Sequence, residues 1–406
     1  MIEERMSLRL MSALGLVVML VLAWLLSENR RAAPWRLVIW GVLLQVAIAL
    51  LILRTQLHDL IFGGAGIAVD VLTRSTLEGA RFVFGGLADP KAGVIFAFQV
   101  LPVIIFVSAL SAILHHLRVI PWIVSGIALL MRRTLKTSGA ETFCAALLIF
   151  LGIEAATAVR AYLRDMTRSE LCVIMTTFMA TIAGSVMVVY ATFGAQPGHL
   201  LTASLMSAPA AIVISKLLVP ETATPKTSGN ARIDVPSDSH NVMDAAAQGT
   251  SQGLNMALHV GATLIVFIGL VFMLNLLLRS TLGYTFVDVL GAVFRPFAYL
   301  MGVPSQDVAA VSQLLGKKTV FNEFLAYADL KGLIETGSLS ARAQMIATYA
   351  LCGFANPGSI GIAIAGLDAL VPERRAEIAR LSVKSFVGGT LACFMTACIA
   401  GIVAYE

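Results

Sequence analysis

The chain alternates long apolar runs with short polar breaks. Leu37 to Leu53 reads LVIWGVLLQVAIALLIL, and Thr263 to Leu278 reads TLIVFIGLVFMLNLLL. A helix crosses the hydrocarbon core of a bilayer with roughly 20 such residues. On this pattern continuous spans are predicted at 8–27, 37–54, 93–116, 170–194, 198–218, 257–279, 342–366 and 384–404. Eight spans put both termini on one side. Segments around 56–84, 119–133 and 240–256 carry an apolar stripe beside polar positions and are expected to lie at the interface. LVVMLVLAWLLS, near the start, is read as a retained span and not a signal peptide, because Glu3 and Glu4 precede it and ENRRAAPWR with a second apolar run follows.

Two stretches fit badly as simple spans. The first, 138–163, has Arg132, Arg133 and Lys136 before it and Arg160, Arg164 and Arg168 after it. Basic residues at both ends place both ends on the cytoplasmic side. The second, about 305–333, contains LLGKKTVFNEFLAYADL and is too polar for lipid. Each reads as a re-entrant helical hairpin, which survives at membrane depth only where protein or a watery cavity surrounds it. The fold class expected is therefore an all-α polytopic membrane protein. It has eight transmembrane helices, two re-entrant hairpins, interfacial helices and an inverted-repeat transport domain.

Composition agrees. Of 406 residues 58% are hydrophobic and 13% charged, against about a quarter charged in soluble domains. The net charge of +5 comes from Lys and Arg in short clusters between apolar runs. That is the positive-inside pattern, and without a basic face interleaved with aromatics it excludes nucleic-acid binding. With the N-terminus outside, 17 basic residues fall on inside loops and 12 outside, of the 29 present. The five cysteines all lie in apolar segments without a CxxC pair and read as packing residues. No HExxH or Walker A pattern occurs, so no enzyme and no cofactor is expected.

The stretch 221–239, ETATPKTSGNARIDVPSDS, is a polar linker. It divides the chain into an N-terminal part (1–92), a first half (93–220) with hairpin 138–163 and broken helix 170–194, and a second half (240–406) with hairpin 305–333 and broken helix 342–366. The halves echo each other: Glu154 and Glu323 each lie in a hairpin and precede an Ala-Tyr pair, and each half then has a small-residue break, ATIAGS at 180–185 and FANPGS at 354–359. Paired interrupted segments point to a transporter's midplane site. A charge at the bilayer centre costs about 2.5–3.5 kcal/mol on insertion scales, so these two carboxylates face a cavity or a partner. Pro357 removes a backbone donor, freeing carbonyls and exposing Asn356 and Ser359 to a ligand's hydroxyls.

The segments RAYLRDMTRSELCVIMTTFMATIAGSV, LMSAPAAIVISKLLVPET, NVMDAAAQGTSQGLNMALHVGA, KTVFNEFLAY and ATYALCGFANPGSIG resemble the concentrative nucleoside transporters, in order from about residue 93 to the C-terminus. The resemblance implies a homotrimer in a cytoplasmic (inner) membrane, with a scaffold and an elevator-like transport domain. It also implies cation-coupled nucleoside uptake. By the family's motifs Glu323, Asn356 and Ser359 hold ribose and Phe354 packs near the base.

The first hairpin departs from the family pattern. Where the family carries Gln and Thr or Ser before the Glu, this chain reads LGIE. Gly152 and Ile153 therefore stand beside Glu154, by substitution or by a one-residue deletion. Ile153 is then expected to contact the base, and Glu154 to orient it or to carry a coupling proton. Thr181 and Ile182 stand where the family completes a sodium site, while Leu147 (or Leu148, given a gap) replaces its Asn. Sodium and proton both remain as the coupling ion. A different solute on the same fold is the alternative reading. A non-transporting receptor or intramembrane enzyme is more distant.

Overall fold

A computed structural model describes residues 2–89, 95–228 and 239–403, and every regular element among them is helical. The boundary at 92–93 and most of the linker, 229–238, lie outside the described residues. In order the helices are α1 (Ile2–Leu25), α2 (Trp35–Arg54), α3 (Leu57–Phe84), α4 (Phe96–Gln99), α5 (Leu101–His116), α6 (Val119–Leu135), α7 (Gly139–Leu147), α8 (Arg160–Leu163) and α9 (Arg168–Ala180). There follow α10 (Gly184–Thr192), α11 (Pro197–Leu218), α12 (Val242–Leu282), α13 (Phe286–Leu300), α14 (Val308–Val320), α15 (Glu323–Glu335), α16 (Ala341–Leu351), α17 (Pro357–Asp368) and α18 (Arg375–Val403).

Both hairpins and both broken helices are present. α7, a turn and a 3-10 segment (Ile153–Val159) leading into α8 make hairpin 1, and α14 and α15 make hairpin 2. α9 and α10 flank one break, at 181–183; α16 and α17 flank the other, at 352–356. Among the described residues, eight helical stretches are long and apolar enough to cross a membrane. They include Leu57–Ala88, expected at the interface, and leave out 342–366, whose two pieces are each too short.

The segments 240–256 and 257–279 do not form separate elements. They are one 41-residue helix, α12, about 60 Å long at 1.5 Å per residue. The reason is packing against α5 along a stripe of small residues, Ala245, Gly249, Gly253, Ala257 and Gly261, that recurs every fourth position across the expected boundary. A Cβ on Gly253 would lie 2.7 Å from the Ile105 Cα, and one on Gly249 2.6 Å from the Ala112 Cβ. The backbones therefore touch as in the small-xxx-small pairs of membrane helices. This pair meets the remaining helices chiefly through α5 against α10 and α3. Elsewhere α12 is bare, with Ile265, Phe272 and Leu277 among its exposed side chains.

The opposite pattern holds for α9, α11 and α18. They pack on one another and are buried nearly all round, as helices must be when they wall off interrupted backbone. Gly389 lets α18 close on α9, where a Cβ would meet the Met179 Cβ at 2.4 Å.

The loops expected on the cytoplasmic side converge at one end. Glu28 pairs with Arg168 and with Lys384, both at 2.8 Å, and Lys226 pairs with Asp165 at 2.9 Å. Arg374 donates to the Leu163 and Met166 carbonyls beyond hairpin 1. The start of hairpin 1 is anchored at the same end. Ser138 caps α7 in a capping box with Glu141, its hydroxyl reaches Glu170 at 2.5 Å, and buried Lys216 pairs with Glu141 at 2.8 Å and Glu221 at 3.1 Å. Hairpin 1 thus enters and leaves on one side. Hairpin 2 does likewise at the other end, where Asp307, just before α14, accepts from Ser340, just before α16. There Arg342 also ties the Gly302 and Gly401 carbonyls to Ser12.

Two outcomes follow from this packing. Gly253→Leu is expected to prise α12 from α5 at a cost of roughly 1–3 kcal/mol or more, read as a lower melting temperature in detergent. The hydrogen bond from Arg168, helped by Lys384, lowers the Glu28 carboxyl from 4.5 to about 2 against the opposing effect of partial burial. A lowered value stabilises the fold above pH 4.5 and is lost as pH falls towards 2. Glu28→Gln is therefore expected to flatten the decline in melting temperature across that acid window.

Candidate functional site

Hairpin 2 and the second broken helix meet at Glu323. This residue opens α15, whose N-cap Asn322 accepts from the Leu325 amide at 3.0 Å. Asn356 is the N-cap of α17, with its Oδ1 accepting from the Ser359 amide at 2.9 Å. The same side chain turns its Nδ2 to Glu323 Oε2 at 2.8 Å. Tyr190 of α10 donates its hydroxyl to the other oxygen, Oε1, at 2.8 Å. Two helix N-termini, α15 and α17, thus converge on one buried carboxylate, the arrangement in which helix dipoles favour negative charge.

Electrostatic matching extends to the other side of the break. α16 ends at Leu351 with its last carbonyls pointing into the gap. Lys318 of hairpin 2, fully buried, donates to the Ala350 carbonyl at 2.9 Å. One hairpin therefore brings a cation to the negative end of α16 and a carboxylate to the positive end of α17. Tyr190 is held in place by stacking on Tyr327, with centroids 4.2 Å apart, and by the edge of Phe324 at 5.1 Å. Phe354, in the break, packs on Phe178 at 5.8 Å. Ser359, one turn into α17, is buried.

The first half is built without such charges. The Gly184 amide, at the start of α10, donates to the Phe150 carbonyl in the tip of hairpin 1 at 3.0 Å, and the Ala180 carbonyl at the end of α9 receives the Cys393 thiol at 3.7 Å. Thr181 bonds its hydroxyl back to Thr177 at 2.8 Å, the common fate of a membrane threonine, and Ile182 is buried beside it. Leu147 ends α7, fully buried, and its side chain offers no oxygen.

Glu154 does not join Glu323. Its carboxylate folds over Gly152, where a Cβ would lie 2.5 Å from Oε2, a contact that a turn of the flexible Glu154 side chain would relieve. It opens into a cavity of about 150 Å³. Ile153 turns the other way, and a Cβ on Gly366 of α17 would meet it at 2.9 Å. The structure thus gathers Glu323, Asn356 and Ser359, places Phe354 in the same break, and sets Glu154 and Gly152 in a neighbouring cavity.

Sequence reasoning passed over Tyr190, Lys318 and Lys216. Each left a signal, a polar or charged tip inside an apolar run (VMVVYATF, ISKLLV) or a buried hairpin, which demands a partner.

Residues 14–87 match the N-terminus and residues 199–401 the C-terminus of the family described as Na+ dependent nucleoside transporter, and 97–197 match a segment described as Nucleoside recognition. Solute carrier family 28 member 3 of Mus musculus is 41% identical over 96% of this chain and 58% of its own length. An "Uncharacterized transporter" of Haemophilus influenzae is 40% identical over 97% of both chains. Among solved structures, CNTnw in an inward-facing substrate-bound state superposes with a TM-score of 0.93 at 37% identity, covering 98% of this chain and 99% of that one. A variant of CNTnw in an outward-facing state gives 0.92 at 36%, over 98% of each chain. The chain belongs to the concentrative, Na+ dependent nucleoside transporter family. It is a multi-pass membrane protein, and it spans about three fifths of the mouse relative's length.

Asn356→Asp is the sharpest test of this arrangement, because the shape and the cap acceptor survive while the donor to Glu323 becomes a second carboxylate. Stability is expected to fall by several kcal/mol, since an uncompensated buried charge costs 3–5 kcal/mol or so. Lowering the pH should restore much of it, as measured by thermal melting.

Proposed function

We propose that the chain takes up nucleosides across the cytoplasmic (inner) membrane by cation-driven alternating access, as a homotrimer of elevator type. The observation that carries this reading is the Glu323 carboxyl group, buried beside two helix N-termini and held by Tyr190 and Asn356. An ionised carboxylate is an acceptor with about four lone-pair sites, so two remain for the paired hydroxyls of a ribose. Asn356 and Ser359 stand beside it for the same sugar, and Phe354 packs against the base.

α10 serves as a ruler for the rest of the solute. Ser185, near its start, lines the cavity beside Glu154, and Tyr190 binds Glu323. Five residues of helix separate them by about 7.5 Å, the reach of a sugar joined to a base. Glu154 and Gly152 then lie at the base end. Ile153, packed on Gly366, supports the tip and borders the base only through its backbone. The halves 93–220 and 240–406 each supply one end of the site.

The coupling ion is sodium or a proton, each supported by a particular feature. The family description and the Thr181–Ile182 break favour sodium. The aliphatic Leu147, where the family's sodium-coupled members carry an oxygen, and the open carboxylate of Glu154 favour a proton. A second solute class, a modified nucleoside, nucleobase or sugar derivative, is supported by the LGIE tip, which lacks the family's base-reading amide.

In proteoliposomes, labelled nucleoside is expected to accumulate under an imposed sodium or pH gradient, and Glu323→Gln should abolish accumulation while leaving the oligomer intact. Near-normal uptake by that variant removes the ribose assignment, and equal uptake with and without both gradients removes active transport.

A further inference from the structure

The cavity at Glu154 has two walls from different bodies. One is hairpin 1 with the first break: Gly152, Glu154, Thr157 and Ser185. The other comes from the α5–α12 pair, which meets the remainder of the molecule mainly through α5 against α3, α4, α6 and α10. On α12 the cavity positions are 245, 248, 252 and 256, and on α5 they are 108, 111, 112 and 115. Both sets follow a helical face. They place Gln248, whose side chain also bonds Asp244 one turn earlier, and Gln252 on the wall across from Glu154, with Ser108, Ser111 and His115 beside them. The neighbouring stripe on α12 is the Gly249–Gly253 pair that locks it to α5, so this polar face cannot swivel without losing that contact. About 15 Å of helix lies between the start of α12 and Gln252.

We infer that the α5–α12 face is a second, separately anchored wall of the substrate site, in which Gln248 and Gln252 read the polar edge of the base. This rests on the nucleoside reading above. A carboxamide offers a donor and an acceptor side by side, the pattern that base edges present. On the hairpin side the Thr157 hydroxyl already donates to the Glu154 carbonyl at 2.7 Å, which leaves the Glu154 carboxylate as acceptor and the Ser185 hydroxyl, so a paired donor and acceptor come from across the cavity. The sugar end is held wholly within the body that contains Glu323, whereas the base end is shared between two bodies. Discrimination among bases is therefore made in the conformation where the walls face each other, and is released when they separate.

The test uses the full chain in proteoliposomes, with uridine, cytidine, adenosine, guanosine and inosine as substrates and free ribose as competitor. In the Gln248→Leu, Gln252→Leu double variant the KM of the preferred nucleoside should rise roughly tenfold, as loss of two hydrogen bonds implies. The uridine-to-adenosine KM ratio should shift by about threefold or more, while inhibition by ribose stays put. Gln248→Asn with Gln252→Asn keeps the amides and should recover much of the ratio, a rescue that a purely structural role would not give. An unmoved KM ratio, or an equal rise for every substrate and for ribose, overturns the wall assignment while wild-type nucleoside uptake stands. Absence of nucleoside uptake by the wild type overturns both readings together.

Discussion

Backbone interrupted inside a bilayer must find hydrogen-bond partners within the protein, because hydrocarbon supplies none. Four interruptions occur here: two hairpin tips and two helix breaks. Each is answered by another. The tip of hairpin 1 accepts from the start of α10, and hairpin 2 sends Lys318 to the end of α16 and Glu323 to the start of α17. The surrounding helices α9, α11 and α18 are buried because they enclose these exchanges, and the peripheral helices can be greasy on every free face. A ligand site is thus the natural product of the same constraint, since groups placed to satisfy broken backbone also point at whatever enters the gap.

The two halves solve the problem with different chemistry. The second uses a cation, a carboxylate and two asparagine caps; the first uses a peptide carbonyl, a thiol and a threonine bonded back on itself. A charged, fully bonded cluster has one geometry and loses heavily if any member is altered. A neutral one tolerates change. On the nucleoside reading proposed above, the invariant demand of a sugar fits the charged site, and a variable base fits the neutral one. The departure of LGIE from the family pattern falls in the tolerant half.

Much of this was legible in the sequence. The two hairpins, both breaks, Glu323, Asn356 and Ser359 announce themselves because a polar group or a proline in an apolar run violates a local rule. What escaped depends on contacts distant in sequence. Tyr190 meets Glu323 across 133 residues and Lys318 meets Ala350 across 32, and neither pairing leaves a periodic trace. Continuity of α12 was missed for a related reason. A change from amphipathic to apolar character at 256–257 marks where the solvent changes, whereas the glycine stripe that keeps the helix whole runs through both environments. Ile153 shows the limit of motif transfer, since a residue can hold the expected position while its side chain faces another helix.

The length of α12 has a mechanical consequence. Its apolar part matches the roughly 30 Å of a bilayer core, but the polar-faced first third is the same rigid rod. It cannot lie flat on the membrane unless the span tilts with it. A thinner or thicker bilayer, which acts on tilt at fractions of a kcal/mol per Å of mismatch, therefore swings Gln248 and Gln252 relative to the hairpin they face. If the wall inferred above holds the base, lipid thickness becomes an input to selectivity, delivered through a lever whose long arm is embedded in fat and whose short arm borders the cavity.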